Sequence, residues 1–222
     1  MTTHGQLHIE VFNDPMFAEN GLLLWCDDQP DCWIVDPGLP PQPEHFAAAI
    51  ETRKLRPRAF LLTHCHADHI AGLMPLRQML GDAPIVCPID ETHLLADAHE
   101  NLSADLGLPV TAPPADQTIA PGDALSTGEL DWQVLDVRGH SPGGLAYYCP
   151  DAGVALVGDA VFAEGIGRYD FPHSHRDLLI ENIRRNLITL PPQTVLYPGH
   201  GQPATVAYVL EHNQTLIQEL GL

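Results

Sequence analysis

The chain reads as a mixed α/β protein folded as one domain over residues 1–222. Three observations predict this. Short apolar runs of strand-like composition alternate with stretches whose apolar residues recur at helical spacing, in the order strands, helix, strand, helix, several strands, helix, strand, helix. A length of 222 residues suits one large domain with a sizeable core. The 21 prolines and 18 glycines are scattered along the chain, which predicts many short connections and no disordered tail. Each half repeats a strand-rich and then helical pattern, and no period of solenoid length is present.

Taken in order, residues 7–12 alternate apolar and polar and predict a first strand. Residues 22–26 and 32–36 predict two more, joined by the turn-rich Asp27-Asp28-Gln29-Pro30-Asp31 into a hairpin with a polar tip. Pro37-Gly38 ends that hairpin, and Phe46 and Ile50 mark a crossover helix over 44–54. Ala59-Phe60-Leu61-Leu62 is a buried-strand run. Leu73, Leu76, Met79 and Leu80 then predict a helix stopped by Gly81. A short strand is expected at 85–87 and an acidic helix at 91–106, closed by Gly107 and a proline-rich loop. Strands follow at 124–126, 130–137, 145–149 and 154–157. Ser174-His175-Arg176-Asp177 predicts a helix capped by Ser174, with Leu179, Ile183 and Leu187 on its apolar face. A last buried strand is predicted at 194–197 and a closing helical stretch at 206–220.

The formal charge of −19, from 10 basic and 29 acidic residues, argues against a nucleic-acid or anionic-membrane partner, since either would repel the protein as a whole. Lys54 is the one lysine and the arginines are scattered, so no basic patch is readable. The 5 cysteines are odd in number and share no framework spacing, which predicts reduced, buried thiols. The first residues show no signal pattern and no apolar run approaches bilayer length, so a cytoplasmic protein is expected.

Chemistry concentrates at Thr63-His64-Cys65-His66-Ala67-Asp68-His69, directly after the apolar run at 59–62. In an extended segment His64, His66 and Asp68 point one way and Cys65 the other, so the thiol stands outside a set of nitrogen and oxygen donors. Such donors suit zinc, iron or manganese, while thiolate-rich sets favour closed structural sites. Gly139-His140-Ser141, Gly158-Asp159-Ala160 and Gly199-His200-Gly201 each follow an apolar run, which puts three further donors at strand ends.

Together these residues complete a set. Two divalent ions sharing one carboxylate need about three more protein ligands each. His64, His66 and His140 would hold one, Asp68, His69 and His200 the other, with Asp159 as the bridge. A closed structural site normally stops at about four ligands and favours cysteine, so this set predicts catalysis. The expected cofactors are two divalent ions, zinc foremost, with iron or manganese also admitted. A water held between such ions loses a proton near neutral pH and becomes the nucleophile, and a substrate carbonyl oxygen leans on the exposed ion. Asp68 would orient that nucleophile as the catalytic residue. No Gly-x-Ser-x-Gly elbow or Walker loop supports a rival mechanism.

Thr-His-Cys-His-Ala-Asp-His-Ile-Ala-Gly at 63–72, Gly-His-Ser-Pro-Gly-Gly at 139–144, Gly-Asp-Ala-Val-Phe at 158–162 and Pro-Gly-His-Gly at 198–201 resemble the metallo-β-lactamase superfamily over nearly the full chain. The resemblance implies an αβ/βα sandwich, two mixed β-sheets covered by helices. Gly-Ile-Gly-Arg-Tyr-Asp-Phe-Pro at 165–172 with Leu190-Pro191 is similar to the glyoxalase II-like branch, the hydroxyacylglutathione hydrolases. Within it the chain looks most like the short bacterial type, which lacks the basic C-terminal helical extension that holds glutathione. Ala160 and Tyr169 stand where that type usually shows threonines. The implied activity is hydrolysis of a small thioester, S-lactoylglutathione or a relative, with Arg168 and Tyr169 as substrate-binding residues. Three other readings use the same residues: a mononuclear iron persulfide dioxygenase, a lactone or ester hydrolase, and a metal-binding module without catalysis.

Overall fold

Leu7 and Ile9 are fully buried on β2 (Leu7–Asn13) while His8 and Glu10 beside them are half-buried, the one-sided pattern of a strand against a core. The computed structural model describes residues 1–27, 29–104 and 107–221. β1 (Thr2–His4), β2, β3 (Asn20–Cys26) and β4 (Asp31–Val35) pair antiparallel in sequence order. β5 (Arg56–Leu61), β6 (Ile85–Pro88) and β7 (Gln117–Ile119) continue the sheet in parallel, giving the order β1-β2-β3-β4-β5-β6-β7. Parallel neighbours need crossovers. α1 (Gln42–Arg53) supplies the one between β4 and β5, and α2 (Ala67–Ile70) with α3 (Leu73–Leu80) the one between β5 and β6.

The second sheet runs β15-β14-β11-β10-β9-β8. Its strands are β8 (Ala124–Thr127), β9 (Leu130–Asp136), β10 (Leu145–Cys149), β11 (Val154–Gly158), β14 (Val195–Pro198) and β15 (Ala204–Thr205). β11 and β14 are parallel and the rest antiparallel, so both sheets are mixed. A small hairpin of β12 (Val161–Phe162) and β13 (Gly165–Ile166) follows β11. α4 (Arg176–Asn182), a π-helical turn at Ile183–Leu187, α5 (Val206–His212) and α6 (Gln214–Leu220) belong to this half.

Side chains alternate between layers. Along β3, Leu22 and Leu24 enter the core between the sheets with Trp33, Trp132 and Tyr147, whereas Leu23 and Trp25 face Phe46, Ile50 and Leu76 of α1 and α3. Along β10, Leu145, Tyr147 and Cys149 join the central core, and Ala146 and Tyr148 pack with Leu179, Ile183 and Val209 of the second helical layer. The layers are therefore helix, sheet, sheet, helix, the sandwich that the motifs imply. Continuous apolar runs follow from burial on both faces, and each fully buried leucine contributes about 1.5–3 kcal/mol.

Two expectations need correction, the helix at 91–106 and the cap at Ser174, and two that hold, the helix stopped by Gly81 and the closing helical stretch, gain detail. Residues 91–104 form no α-helix: the turn at Ile89–Glu91 is followed by bends in which the Asp97 carboxylate accepts from the N–H of His99, while Asn101 donates to the carbonyls of Leu94 and Val110. Side-chain bonds of this kind compete with helical ones. Asp105 and Leu106, the last positions of that expected helix, and Asp28 of the hairpin tip lie outside the described residues. The cap of α4 is His175, whose ring accepts from the Leu178 N–H, and Ser174 instead donates to the His140 carbonyl. Met79 is exposed, so the buried face of α3 rests on Leu73 and Leu76. The closing stretch is two helices, broken at Asn213, whose side chain caps α6 at Leu216 N and holds the carbonyls of Phe162 and Gly165. No helix among the described residues is long and apolar enough to cross a membrane.

Candidate metal centre

The candidate ligands gather where the two sheets meet. The Leu145 N–H donates to the Thr63 carbonyl at 2.9 Å and the Tyr147 hydroxyl to the Leu62 carbonyl at 2.6 Å, tying β10 to the segment that follows β5. His64 and His66 leave β5, His140 follows β9, Asp159 follows β11 and His200 follows β14. Asp68 arrives differently from the extended register expected of it, and His69 comes with it, because the chain turns into α2 at Ala67. Cys65 does point away, into the core beneath the first sheet, with its Sγ 3.4 Å from that of Cys87. All five cysteines are buried and free.

Three ligand-like groups result among the described residues: the two expected clusters, His64 with His66 and His140, and Asp68 with His69 and His200, and a third of Asp36 with His64 and His69 that joins them. In the first, His66 Nδ1 and His140 Nε2 are 3.0 Å apart, and the His64 ring centroid lies 4.7 Å from that of His66 and 5.2 Å from that of His140. In the second, Asp68 Oδ2 lies 3.3 Å from His200 Nε2 and 3.9 Å from His69 Nε2. Asp159 reaches both clusters, with one oxygen 3.6 Å from His69 Nε2 and the other 3.6 Å from His140 Nε2 and 3.4 Å from His200 Nε2. A side chain at Gly199 would collide with Asp159 and His69, so only glycine lets β14 pass this close.

The donor set fits divalent ions by a test internal to the fold. His64 Nε2, His69 Nε2 and Asp159 Oδ1 are buried without any hydrogen-bond partner. Buried polar atoms are almost always paired, and an unpaired group calls for a specific explanation such as an ion. These three come from both clusters and the carboxylate between them. The opposite nitrogens are committed: His140 Nδ1 donates to the Arg168 carbonyl at 2.7 Å, His200 Nδ1 to the Phe17 carbonyl at 3.0 Å, and His69 Nδ1 to Asp36 Oδ2 at 3.2 Å. Such outer partners fix ring orientation and leave the inner nitrogen for a metal.

Charge divides the clusters. Burial, reinforced by the neighbouring rings, holds His64 well below the usual histidine range, pushes His66 down to about 3 and lowers His140. Burial also acts downward on His69 and His200, but Asp68 and Asp159 overcome it and lift them to about 9 and about 11. Burial alone would raise Asp159, yet the surrounding histidines hold it far below the carboxylate range. Burial thus favours neutral imidazole, the ligating form, in the first cluster, and the carboxylates favour protonated rings in the second.

Asp36 went unnoticed in the sequence. It closes β4 with a left-handed backbone (φ 46°), accepts from the Thr63 N–H and hydroxyl, and orients His69. Its signal was an acid ending an apolar strand just before Pro37-Gly38. Glu19, fully buried with one oxygen 3.8 Å from His69 Nδ1, carried no such signal.

A cavity of about 480 Å³ opens over the clusters, walled by Phe17, Leu102, Phe162, Ile166, Phe171 and Pro172. Arg168 lies on its rim, paired to Asp170 at 2.9 Å and laid over the Phe171 ring at 4.2 Å. Tyr169 is not among the lining residues and its hydroxyl donates to Glu219 at 3.5 Å. Arg138 pairs with Asp136 and with Asp90, away from the cavity.

Histidine and aspartate clusters at the seam of a four-layer sandwich are the marks of a metal-binding hydrolase. The Metallo-beta-lactamase superfamily matches residues 20–200, and the chain belongs to that superfamily. It is 38% identical over 198 residues to the probable metallo-hydrolase YqgX of Bacillus subtilis, covering 89% of this chain and 92% of that one. It is 31% identical over 212 residues to the hydroxyacylglutathione hydrolase GloC of Haemophilus influenzae, covering 95% and 98%. Among solved structures, the BLEG-1 B3 metallo-beta-lactamase superposes with a TM-score of 0.87 at 31% identity, covering 93% of this chain and 98% of that one.

Proposed function

We propose that the protein is a dinuclear metal-dependent thioester hydrolase of the hydroxyacylglutathione hydrolase type. The observation that carries this reading is Asp159, whose two oxygens stand 3.4–3.6 Å from histidines of both clusters on the floor of an apolar-walled cavity. Ions bound there would supply Lewis acidity toward a carbonyl oxygen and acidify water. His64, His66 and His140 would hold one ion, Asp68, His69 and His200 the other, and Asp159 would serve both. Asp68, 20% exposed and lining the cavity, would accept a hydrogen bond from the attacking water and so orient it. Water adds to the thioester carbonyl, the C–S bond breaks, and the departing thiolate takes up a proton, leaving a carboxylate and a thiol. Phe17, Phe162 and Phe171 restrict bulk water, and Arg168 on the rim meets a carboxylate of the thiol portion.

The similarity to GloC along almost the whole of both chains supports the thioester class, and the free thiols support a reducing, cytoplasmic setting. Purified protein should hydrolyse S-lactoylglutathione, followed by loss of the thioester absorbance, and should turn over a chromogenic cephalosporin far more slowly. A preference for the cephalosporin would make it a β-lactamase. Oxygen uptake with glutathione persulfide, without thioester hydrolysis, would assign it to the dioxygenases.

A further inference from the structure

Glu91 is an acid that the reading of the site does not use. It ends the turn Ile89–Glu91 after β6, is fully buried, and does not line the cavity. One carboxylate oxygen accepts from the Cys65 N–H, and the other accepts from the Ser141 hydroxyl and, at 2.8 Å, from the Gly143 N–H. Cys65 lies between His64 and His66, and Ser141 directly follows His140. A single side chain thus grips both backbone segments that deliver the first histidine cluster, one from each sheet.

The grip is specific for a carboxylate. Every partner is a donor, and a carboxylate is acceptor-only, with room for all three bonds. Glutamine would turn an NH2 group toward one of them. Gly143 is part of the same construction, because a Cβ there would come 2.7 Å from Glu91 Cγ. Asp90, the preceding residue, takes Arg138 at 3.4 Å, a second tie between this turn and the approach to His140. No cation contacts Glu91 among the described residues, so its charge is met by hydrogen bonds alone.

We propose that Glu91 is the positioning residue of the first ion, setting His64, His66 and His140 in register through the backbone segments it holds. This rests on the reading of the two clusters as metal positions. Partners outside the ligand shell typically set metal affinity by about 10- to 100-fold.

The test is calorimetric titration of chelator-stripped protein with Zn²⁺, alongside the melting temperature. Glu91→Gln should weaken one of the two binding steps by about 10- to 100-fold and leave the other unchanged, with turnover recovered at high zinc. His200→Ala in the same titration identifies the second step, which should be the one that Glu91→Gln spares. Ser141→Ala, which removes one of the three bonds, and Gly143→Ala, which displaces the carboxylate, should shift the same step, and they carry the test if Glu91→Gln does not fold. Ile9→Ala in the central core serves as the control for lost stability. An isotherm for Glu91→Gln that matches wild type while the melting temperature falls as in Ile9→Ala would overturn the proposal alone. Equal weakening of both steps would also overturn it. Wild-type protein that takes up no zinc would overturn the metal reading itself.

Discussion

Asp159 and His200 differ in what each touches, and their variants should differ accordingly. Asp159 faces both clusters, whereas His200 Nε2 faces Asp68 and Asp159 in the second cluster. Asp159→Ala should therefore release both ions on dialysis, and His200→Ala chiefly one; metal analysis after dialysis reads this directly. Arg168 is a second case. Its ion pair with Asp170 is exposed at 65% and 64%, and solvent-screened pairs of that kind contribute little, so the guanidinium can exchange Asp170 for a substrate carboxylate. Arg168→Ala should lower kcat/KM for a glutathione thioester by about tenfold, the equivalent of about 1.4 kcal/mol, and scarcely affect a small neutral thioester. Equal losses on both substrates would make Arg168 a loop clamp. The donor residues were readable before the fold because four of them crowd into 64–69 directly after an apolar run, and His140, Asp159 and His200 each stand beside glycine at the end of another. Asp36, Glu19 and Glu91 were not, since lone acids far apart in sequence acquire meaning only when three-dimensional contacts bring them behind the ligands.

Strands were the most legible elements, because runs such as 22–26 and 145–149 are buried on both faces and so are apolar at every position. The short edges β1, β7 and β15 were not legible. Two or three residues, mostly polar, pair there only because a neighbouring strand offers its backbone. The segment from Glu91 was misread as a helix for a different reason: its helix-forming composition is overridden by Asp97, Asn101 and the buried Glu91, whose side chains bond backbone groups instead. Asn213 shows the same rule at a break between helices. It caps α6 and fastens the β12–β13 hairpin, which carries the cavity residues Phe162 and Ile166. Asn213→Ala should lower unfolding free energy by about 1–3 kcal/mol, the cost of a lost cap together with buried carbonyls left unpaired. Urea denaturation measures this, and a change within error would mean that the hairpin is held by its apolar contacts.

At the scale of the whole molecule, the two sheets place every candidate donor at one seam, and the charge of −19 surrounds it. A field of that sign draws cations toward the clusters and repels acidic substrates, which leaves Arg168 as the rim's basic group. Ions that bind only the folded state also stabilise it by mass action. The fold class and its layering were predictable from the order of elements and the motifs, while the substrate was not, because a single metal-binding scaffold hosts many chemistries. The most direct test is the metal content of protein produced without metal supplementation, measured on the same sample as S-lactoylglutathione hydrolysis before and after chelation. The account predicts about two divalent ions per chain, loss of hydrolysis on their removal, and recovery when they are returned. A fully active protein holding a single iron, with His200 uncoordinated, would contradict it.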